Sequence, residues 1–218
     1  MSLRINDIAP DFTAASTEGT INFHEWVGDN YAILFSHPKD FTPVCTTEFG
    51  AVSSLATDFA ARNTKVIGVS VDKVEEHMVW KSDVETYSGA PLTFPILDDS
   101  DLSIAKLYDM LPAEAYLPDG RTPADSATVR TVFIIGPDKK IRLMMTYPMS
   151  VGRNFDEILR ALDAIQMTDD TPVATPANWN KGDDVIVALS LNDEQAREKF
   201  GNIEVVLPYL RTTAAPNT

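Results

Sequence analysis

Two short, almost continuously apolar runs constrain this chain most: Ala32 to Ser36 (AILFS) and Val66 to Val71 (VIGVSV). Runs of this length without polar alternation predict strands covered on both faces. Between them, FGAVSSLATDFAARN places Phe49, Val52, Leu55, Phe59 and Ala60 on one helical stripe. A strand, an amphipathic helix and a second strand imply a parallel pair joined by a right-handed crossover. The fold is therefore expected to be α/β, with a sheet between helices.

The remaining periodicity extends this frame. Lys73 to Tyr87 is expected to be a second helix, PLTFPILDD to contain a short strand, and SDLSIAKLYDM a further helix. VRTVFIIG, then PDKK, then IRLMMTY reads as two strands joined by a polar turn, an antiparallel hairpin. Phe155 to Ile165 returns to helical spacing. After Met167 the composition shifts to TDDTPVATPANWNKGDD, which reads as a linker, followed by VIVAL and NDEQAREKF. The expected division is 1–167 as the main domain and 168–218 as a small C-terminal appendage, too short to bury a core of its own.

Composition narrows the function. The 218 residues hold one cysteine, Cys45, so an intramolecular disulfide, a C-x-x-C pair and a cysteine-based metal site are excluded within one chain. Thiol usage this sparse points to a reducing compartment. With a formal net charge of −14, the chain's field repels nucleic-acid backbones and anionic lipid, so neither is an expected partner. The opening MSLRINDIAPDF lacks the apolar core of a signal peptide, and Ser2 stands where myristoylation needs glycine. No apolar run approaches the length that spans a bilayer. The expected location is cytoplasmic.

The surroundings of Cys45 decide its chemistry. In HPKDFTPVCTTEFG, Thr42-Pro43 is a helix-start signature: a hydroxyl at the N-cap and a proline where the missing N–H costs nothing. Cys45 then falls in the first turn, where free N–H groups and the helix dipole favour a thiolate. The Thr42 hydroxyl is expected to reach the Cys45 N–H or its side chain. A lone cysteine is more often a small buried hydrophobe. A cysteine in a polar run, preceded by a cap and a proline, is poorly explained that way.

Pro38-x-x-x-Thr42-x-x-Cys45 resembles the active-site signature of peroxiredoxins, and HPKDFTPVCTTEFG resembles their one-cysteine subgroup. The similarity continues through VRTVFIIGPDKK, YPMSVGRNFDEILR and VATPANWNKGDDVIV, nearly the whole chain. The resemblance implies a thioredoxin-like fold with a small C-terminal extension, and a thiol-dependent peroxidase acting on hydrogen peroxide and organic hydroperoxides. It implies that Cys45 is the nucleophile that becomes a sulfenic acid, that Thr42 orients the peroxide, that Pro38 shields the pocket, and that Arg130 stabilises thiolate and leaving oxygen. His37, Glu48 and Arg153 are implied to support these groups, Glu48 and Arg153 by holding Arg130 in place. It further implies a homodimer, no cofactor and, because the chain has no resolving cysteine, an external reductant: a small thiol or a thioredoxin- or glutaredoxin-type protein. The same cysteine would equally serve a peroxide sensor or a redox-switched chaperone.

Other signals carry less. His24, His37 and His77 do not share metal-ligand spacing, and His24-Glu25-Trp26-Val27-Gly28 lacks the second histidine of a zinc-protease helix, so no metal is expected. Met144, Met145 and Met149, and Trp26, Trp80 and Trp179, are expected to pack. Some one-cysteine relatives are credited with a phospholipase serine in a Gly-x-Ser-x-Gly run. Here that run is Gly28-Asp29-Asn30-Tyr31-Ala32, which lacks the hydroxyl, although His24 and Asp138 occupy plausible partner positions.

Overall fold

The computed structural model describes residues 3–116 and 127–216. Contacts divide the chain into two units, Met1–Phe155 and Asp156–Thr218. The larger begins with a hairpin, β1 (Thr13–Ser16) and β2 (Gly19–Asn22), and a five-residue helix, α1 (Phe23–Val27). There follow β3 (Tyr31–Ser36), α2 (Pro43–Ser54), α3 (Ala56–Ala61), β4 (Thr64–Ser70), α4 (Val74–Ser88), β5 (Ile96–Asp98), α5 (Ser103–Leu107), β6 (Arg130–Ile135) and β7 (Ile141–Tyr147).

These strands form one seven-stranded sheet in the order β2-β1-β5-β4-β3-β6-β7. β3, β4 and β5 are parallel; the other pairings are antiparallel. The two apolar runs are thus the central parallel pair, and burial on both faces is why neither alternates: Ala32, Ile33, Leu34 and Phe35 are all fully buried. One side of the sheet packs Phe23, Tyr108 and Phe133 into the main core cluster. Elsewhere Phe35 packs against Phe49, Phe94 and Phe155.

The expected single helix over residues 49–63 is two. It starts earlier, at Pro43, and breaks at Leu55, which caps α2 with φ −94° and ψ 8°. The break lets Phe49, Val52 and Phe59 all face the core while Ala60 turns to solvent, so the stripe does not continue unbroken. The hairpin β1–β2 and α1 had no periodicity long enough to declare them.

Helix α2 lies unusually close to the sheet at one point. A Cβ at Gly68, in the middle of β4, would sit 2.8 Å from Cζ of Phe49. Glycine there lets the ring rest directly on backbone and sets the height of α2 above the sheet.

The smaller unit contains α6 (Phe155–Asp170, its first residue belonging to the larger unit), β8 (Val173–Ala174), β9 (Val185–Val187), α7 (Asp193–Phe200), β10 (Glu204–Leu207) and β11 (Leu210–Thr213). Its strands form a second antiparallel sheet in the order β10-β11-β9-β8. Met167 on α6 packs with Val173, Trp179 and Val185 in a separate small core. The boundary therefore falls before α6, at 155/156, rather than at the compositional shift after residue 167. The expected linker also needs correction. Its first residues complete α6, it supplies β8, and its Trp179 is buried, with Nε1 donating to the Asp183 carbonyl at 2.9 Å. Loop-like composition concealed it because one tryptophan and one valine do the packing.

Replacing Gly68 with alanine is expected to drive the methyl into Phe49 and destabilise the chain by about 1–3 kcal/mol, the usual cost of overpacking. Denaturant unfolding of Gly68→Ala against the parent measures this directly.

Candidate active site

Strand register brings the distant groups together. β3 pairs with β6 such that Phe35 lies opposite Val132. Continued by two residues, the same register sets Arg130, the first residue of β6, beside the chain just past the end of β3. The loop that leaves β3 there starts α2, with Thr42 as N-cap (φ −116°, ψ 147°) and Pro43 at the first helical position. Cys45 is in the first turn and fully buried. A site at the carboxyl end of a parallel strand is where open α/β sheets place their chemistry.

Arg130 meets Cys45 directly. Its Nη1 donates to Sγ at 3.4 Å and to Glu48 Oε2 at 2.7 Å, and its Nε donates to the Met149 carbonyl at 2.8 Å. Glu48, one helical turn beyond Cys45, also receives Arg153: Nε to Oε1 at 2.9 Å, Nη2 to Oε2 at 2.6 Å, and the backbone N–H to Oε1 at 2.8 Å. Arg153 Nη1 donates to the carbonyls of Ser36 and Thr131, at 2.8 and 3.1 Å, and its guanidinium lies 5.1 Å from the Phe35 ring centre. Arg130, Glu48 and Arg153 are all buried. Burial pushes the Glu48 carboxyl up, but the hydrogen bonds and charge of Arg153, with the charge of Arg130, outweigh it and hold the group below the usual carboxylate range. Burial lowers Arg153 despite the opposing effect of Glu48.

The Thr42 expectation changes. Its hydroxyl donates to the Lys39 carbonyl at 2.8 Å and makes no side-chain cap bond. The threonine side chain thus folds the loop onto itself, while its backbone carbonyl accepts from the N–H and hydroxyl of Thr46 at 3.0 and 2.9 Å. Pro38 is buried in the same loop. The surface groove beside this turn is lined by Phe41, Thr42, Pro43, Thr46 and Tyr87, and Cys45 is not part of its wall.

His37 is buried and edge-on to Phe49, with ring centres 4.6 Å apart. Its Nε2 pairs with Asp40 Oδ1 at 2.6 Å, and the other Asp40 oxygen pairs with His77 Nδ1 at 2.6 Å. Asp40 carries no signal of its own in the sequence, and His77 is set aside there on metal-ligand spacing alone. Asp40 lies three residues after His37, inside the signature itself, but nothing in the sequence ties either to His77. The three are the one group of metal-ligand type among the described residues. Their facing atoms are already hydrogen-bonded to one another.

The acyl-transfer candidates are each committed elsewhere. His24 Nε2 is 2.7 Å from the Ala9 carbonyl, Asn30 Nδ2 donates to the Val27 carbonyl at 2.9 Å, and Asp138 pairs with Arg142 at 3.1 Å. Trp80 and Trp179 are core residues, Trp26 is half-buried, and Met149 contributes its carbonyl to Arg130.

Comparison with known proteins bears on the family and the fold. Residues 5–144 match the AhpC/TSA family, and residues 164–202 match the C-terminal domain of 1-Cys peroxiredoxin. Peroxiredoxin-6 of Rattus norvegicus is 48% identical over 98% of both chains. The solved cysteine-to-serine mutant of peroxiredoxin 6 of Arenicola marina superposes with a TM-score of 0.92 at 42% identity, covering all of both chains. A yeast mitochondrial 1-Cys peroxiredoxin, solved to explain its thiol resolving mechanism via glutathione/thioredoxin systems, gives 0.87 at 46% identity, covering 97% of this chain and 99% of the other. With its single cysteine set against an arginine at the start of a helix in a thioredoxin-like fold, this chain belongs to the peroxiredoxins, the thiol-dependent peroxidases, in their one-cysteine branch.

Proposed function

We propose that Cys45 reduces hydrogen peroxide and organic hydroperoxides, and that Arg130 is the residue that makes this fast. The observation that carries the reading is the 3.4 Å contact between the Arg130 guanidinium and the sulfur, both buried. The buried charges there are two arginines against one glutamate, an excess of one positive charge that a thiolate balances. The thiolate attacks the terminal, hydroxyl-bearing peroxide oxygen, forming the S–O bond as the O–O bond breaks. Negative charge passes to the departing oxygen, which takes a proton and leaves as water or alcohol. Cys45 remains as a sulfenic acid. A fixed, desolvated guanidinium favours the charge on both sulfur and leaving oxygen without solvent reorganisation. Thr42 and Pro38, on the loop that begins α2, flank the approach to the sulfur in this reading, and Glu48 with Arg153 keeps Arg130 aimed.

No cofactor enters this scheme. The reductant is external, since the chain has one cysteine. The glutathione and thioredoxin systems resolving the yeast relative support a small thiol or a thioredoxin- or glutaredoxin-type protein in that role. Because Cys45 is fully buried, a protein thiol reaches it only after the first turn of α2 opens. Among the described residues no helix is long and apolar enough to cross a membrane. The lone thiol favours a reducing compartment, and the cytoplasm is the simplest. A homodimer is the proposed assembly, and gel filtration with scattering tests it.

Peroxide added to the reduced protein is expected to consume one thiol per chain, and Cys45→Ser to abolish the reaction. Peroxide loss surviving that substitution overturns the assignment. Arg130→Ala is expected to slow sulfur oxidation by about 10²-fold or more, read by stopped flow under single turnover.

Glu48→Gln leaves two buried arginines without their shared carboxylate and is expected to cost about 3–5 kcal/mol of stability. The sign with pH follows from the depressed folded-state value: the glutamate's contribution is complete above the ordinary carboxylate pKa and is lost as pH falls through the folded one. Denaturant unfolding at neutral and acidic pH is expected to show a gap between parent and Glu48→Gln that narrows toward acid.

A further inference from the structure

We infer that Asp40 and His77 are positioning residues of the peroxide site: a proton shared between them holds the loop from His37 to Thr42, and with it the first turn of α2, in place against Arg130. The inference rests on the peroxidase reading for its kinetic consequence and on geometry for the rest.

Hydrogen-bond valence fixes the proton. His77 Nε2 lies 3.1 Å from the Leu97 carbonyl, which only accepts, so Nε2 carries a hydrogen. Nδ1 of the same ring faces Asp40 Oδ2 at 2.6 Å, a distance that requires one proton between them. The other carboxylate oxygen faces His37 Nε2 at 2.6 Å, and this ring donates from that atom. His37 Nδ1 is left buried and without a hydrogen-bond partner among the described residues, so a second donated proton there has nowhere to bond. His37, Asp40 and His77 are sealed from solvent, with relative exposures of 0, 1 and 0%. The remaining charged group facing them is Asp72, whose Oδ2 accepts from the Asp40 N–H at 2.8 Å and from Ser70 Oγ at 2.7 Å. The packed surfaces of Trp80 and Phe49 complete the enclosure without charge.

The loop needs such a hold. Phe41 adopts φ 54°, in the left-handed region, and its side chain is half exposed, so its own packing does little to keep it there. On one side of it Asp40 is fixed by His37, His77 and Asp72. On the other, Thr42 is tied to the Lys39 carbonyl and caps α2, three residues before Cys45. Releasing the Asp40 carboxylate frees the segment that sets where α2 begins, and a small displacement of a reacting group is costly in rate.

The hold depends on pH with a definite sign. Burial lowers His77, but the hydrogen bond and charge of Asp40 outweigh it and raise the group above the ordinary histidine value. Burial raises Asp40, but both imidazoles outweigh it and bring it below the ordinary aspartate value. Burial lowers His37 and keeps it neutral. The bridge therefore persists from below the aspartate range to above the histidine range. It weakens on the alkaline side, when His77 loses a proton and can no longer donate to both Asp40 Oδ2 and the Leu97 carbonyl.

Asparagine at position 40 separates charge from shape. Its oxygen accepts from His37 and its nitrogen donates to neutral His77, keeping the geometry with no ionised partner. The experiment is the rate of Cys45 oxidation by hydrogen peroxide from mildly acidic to alkaline pH, with amide hydrogen exchange over residues 41–46 under the same conditions. For the parent, the expected result is an oxidation rate that falls and a protection from exchange, taken relative to the intrinsic base-catalysed rate, that drops as His77 deprotonates. Asp40→Asn is expected to keep the neutral-pH rate within a few-fold and to lose both alkaline changes. Asp40→Ala and His77→Leu are expected to lose about tenfold or more in rate, and His77→Asn, which retains a donor near the Nδ1 position, to recover most of it. Folded Asp40→Ala and His77→Leu proteins with the parent's rate overturn the inference, as does Asp40→Asn with the parent's alkaline profile. A parent that does not consume peroxide through Cys45 instead refutes the peroxidase reading. In that case the exchange comparison between the parent and Asp40→Asn decides the bridge by itself.

Discussion

The site is built around one buried carboxylate. Glu48 takes three hydrogen bonds from Arg153 and one from Arg130, and it lies on the helix that carries Cys45. Without it two guanidinium groups would repel one another in a buried space, with only the surrounding carbonyls to hold them. With it, one positive charge is neutralised in place and the other remains available to the sulfur. The arrangement converts an expensive burial of charge into a directed field at one atom.

Backbone carbonyls aim that field. Met149 accepts from Arg130, and Ser36 and Thr131 accept from Arg153, so each guanidinium is oriented by chain segments far apart in sequence. The sheet supplies the rigidity. Gly68 lets Phe49 sit directly on β4, fixing α2 from below, while His77 on α4 ties the loop before α2 from the side. The reactive turn is thus restrained by packing on one side and by a hydrogen-bonded network on the other.

Much of this was legible in order along the chain. The two apolar runs announced the buried parallel pair, the IRLMMTY strand is found with the bounds expected of it, and Thr42-Pro43 marked the start of α2 correctly. The errors share a cause. Residues 49–63 read as one continuous helix because periodicity cannot register a break at Leu55 that keeps Phe49, Val52 and Phe59 facing the core. The hairpin β1–β2 and strand β8 are not legible because short strands with few apolar residues look like loops until something packs on them, although Trp179 packs as expected. The direction of the Thr42 hydroxyl was missed because a cap residue has two nearby acceptors or donors to choose between, and the turn at Phe41 decides which.

Family membership is written along the chain: one cysteine, a cap and a proline ahead of it, and an arginine opening a later strand are local features that can be read without a fold. Only the folded chain shows that Arg130 shares one donor between Cys45 and Glu48, that Arg153 closes the charge cluster, and that Asp40, bonded to His37, also reaches His77 37 residues further along the chain. The division is physical. Residue type and spacing fix what a group can donate, accept or ionise, whereas strand register and helix packing fix which group it meets, and those depend on contacts far apart in sequence.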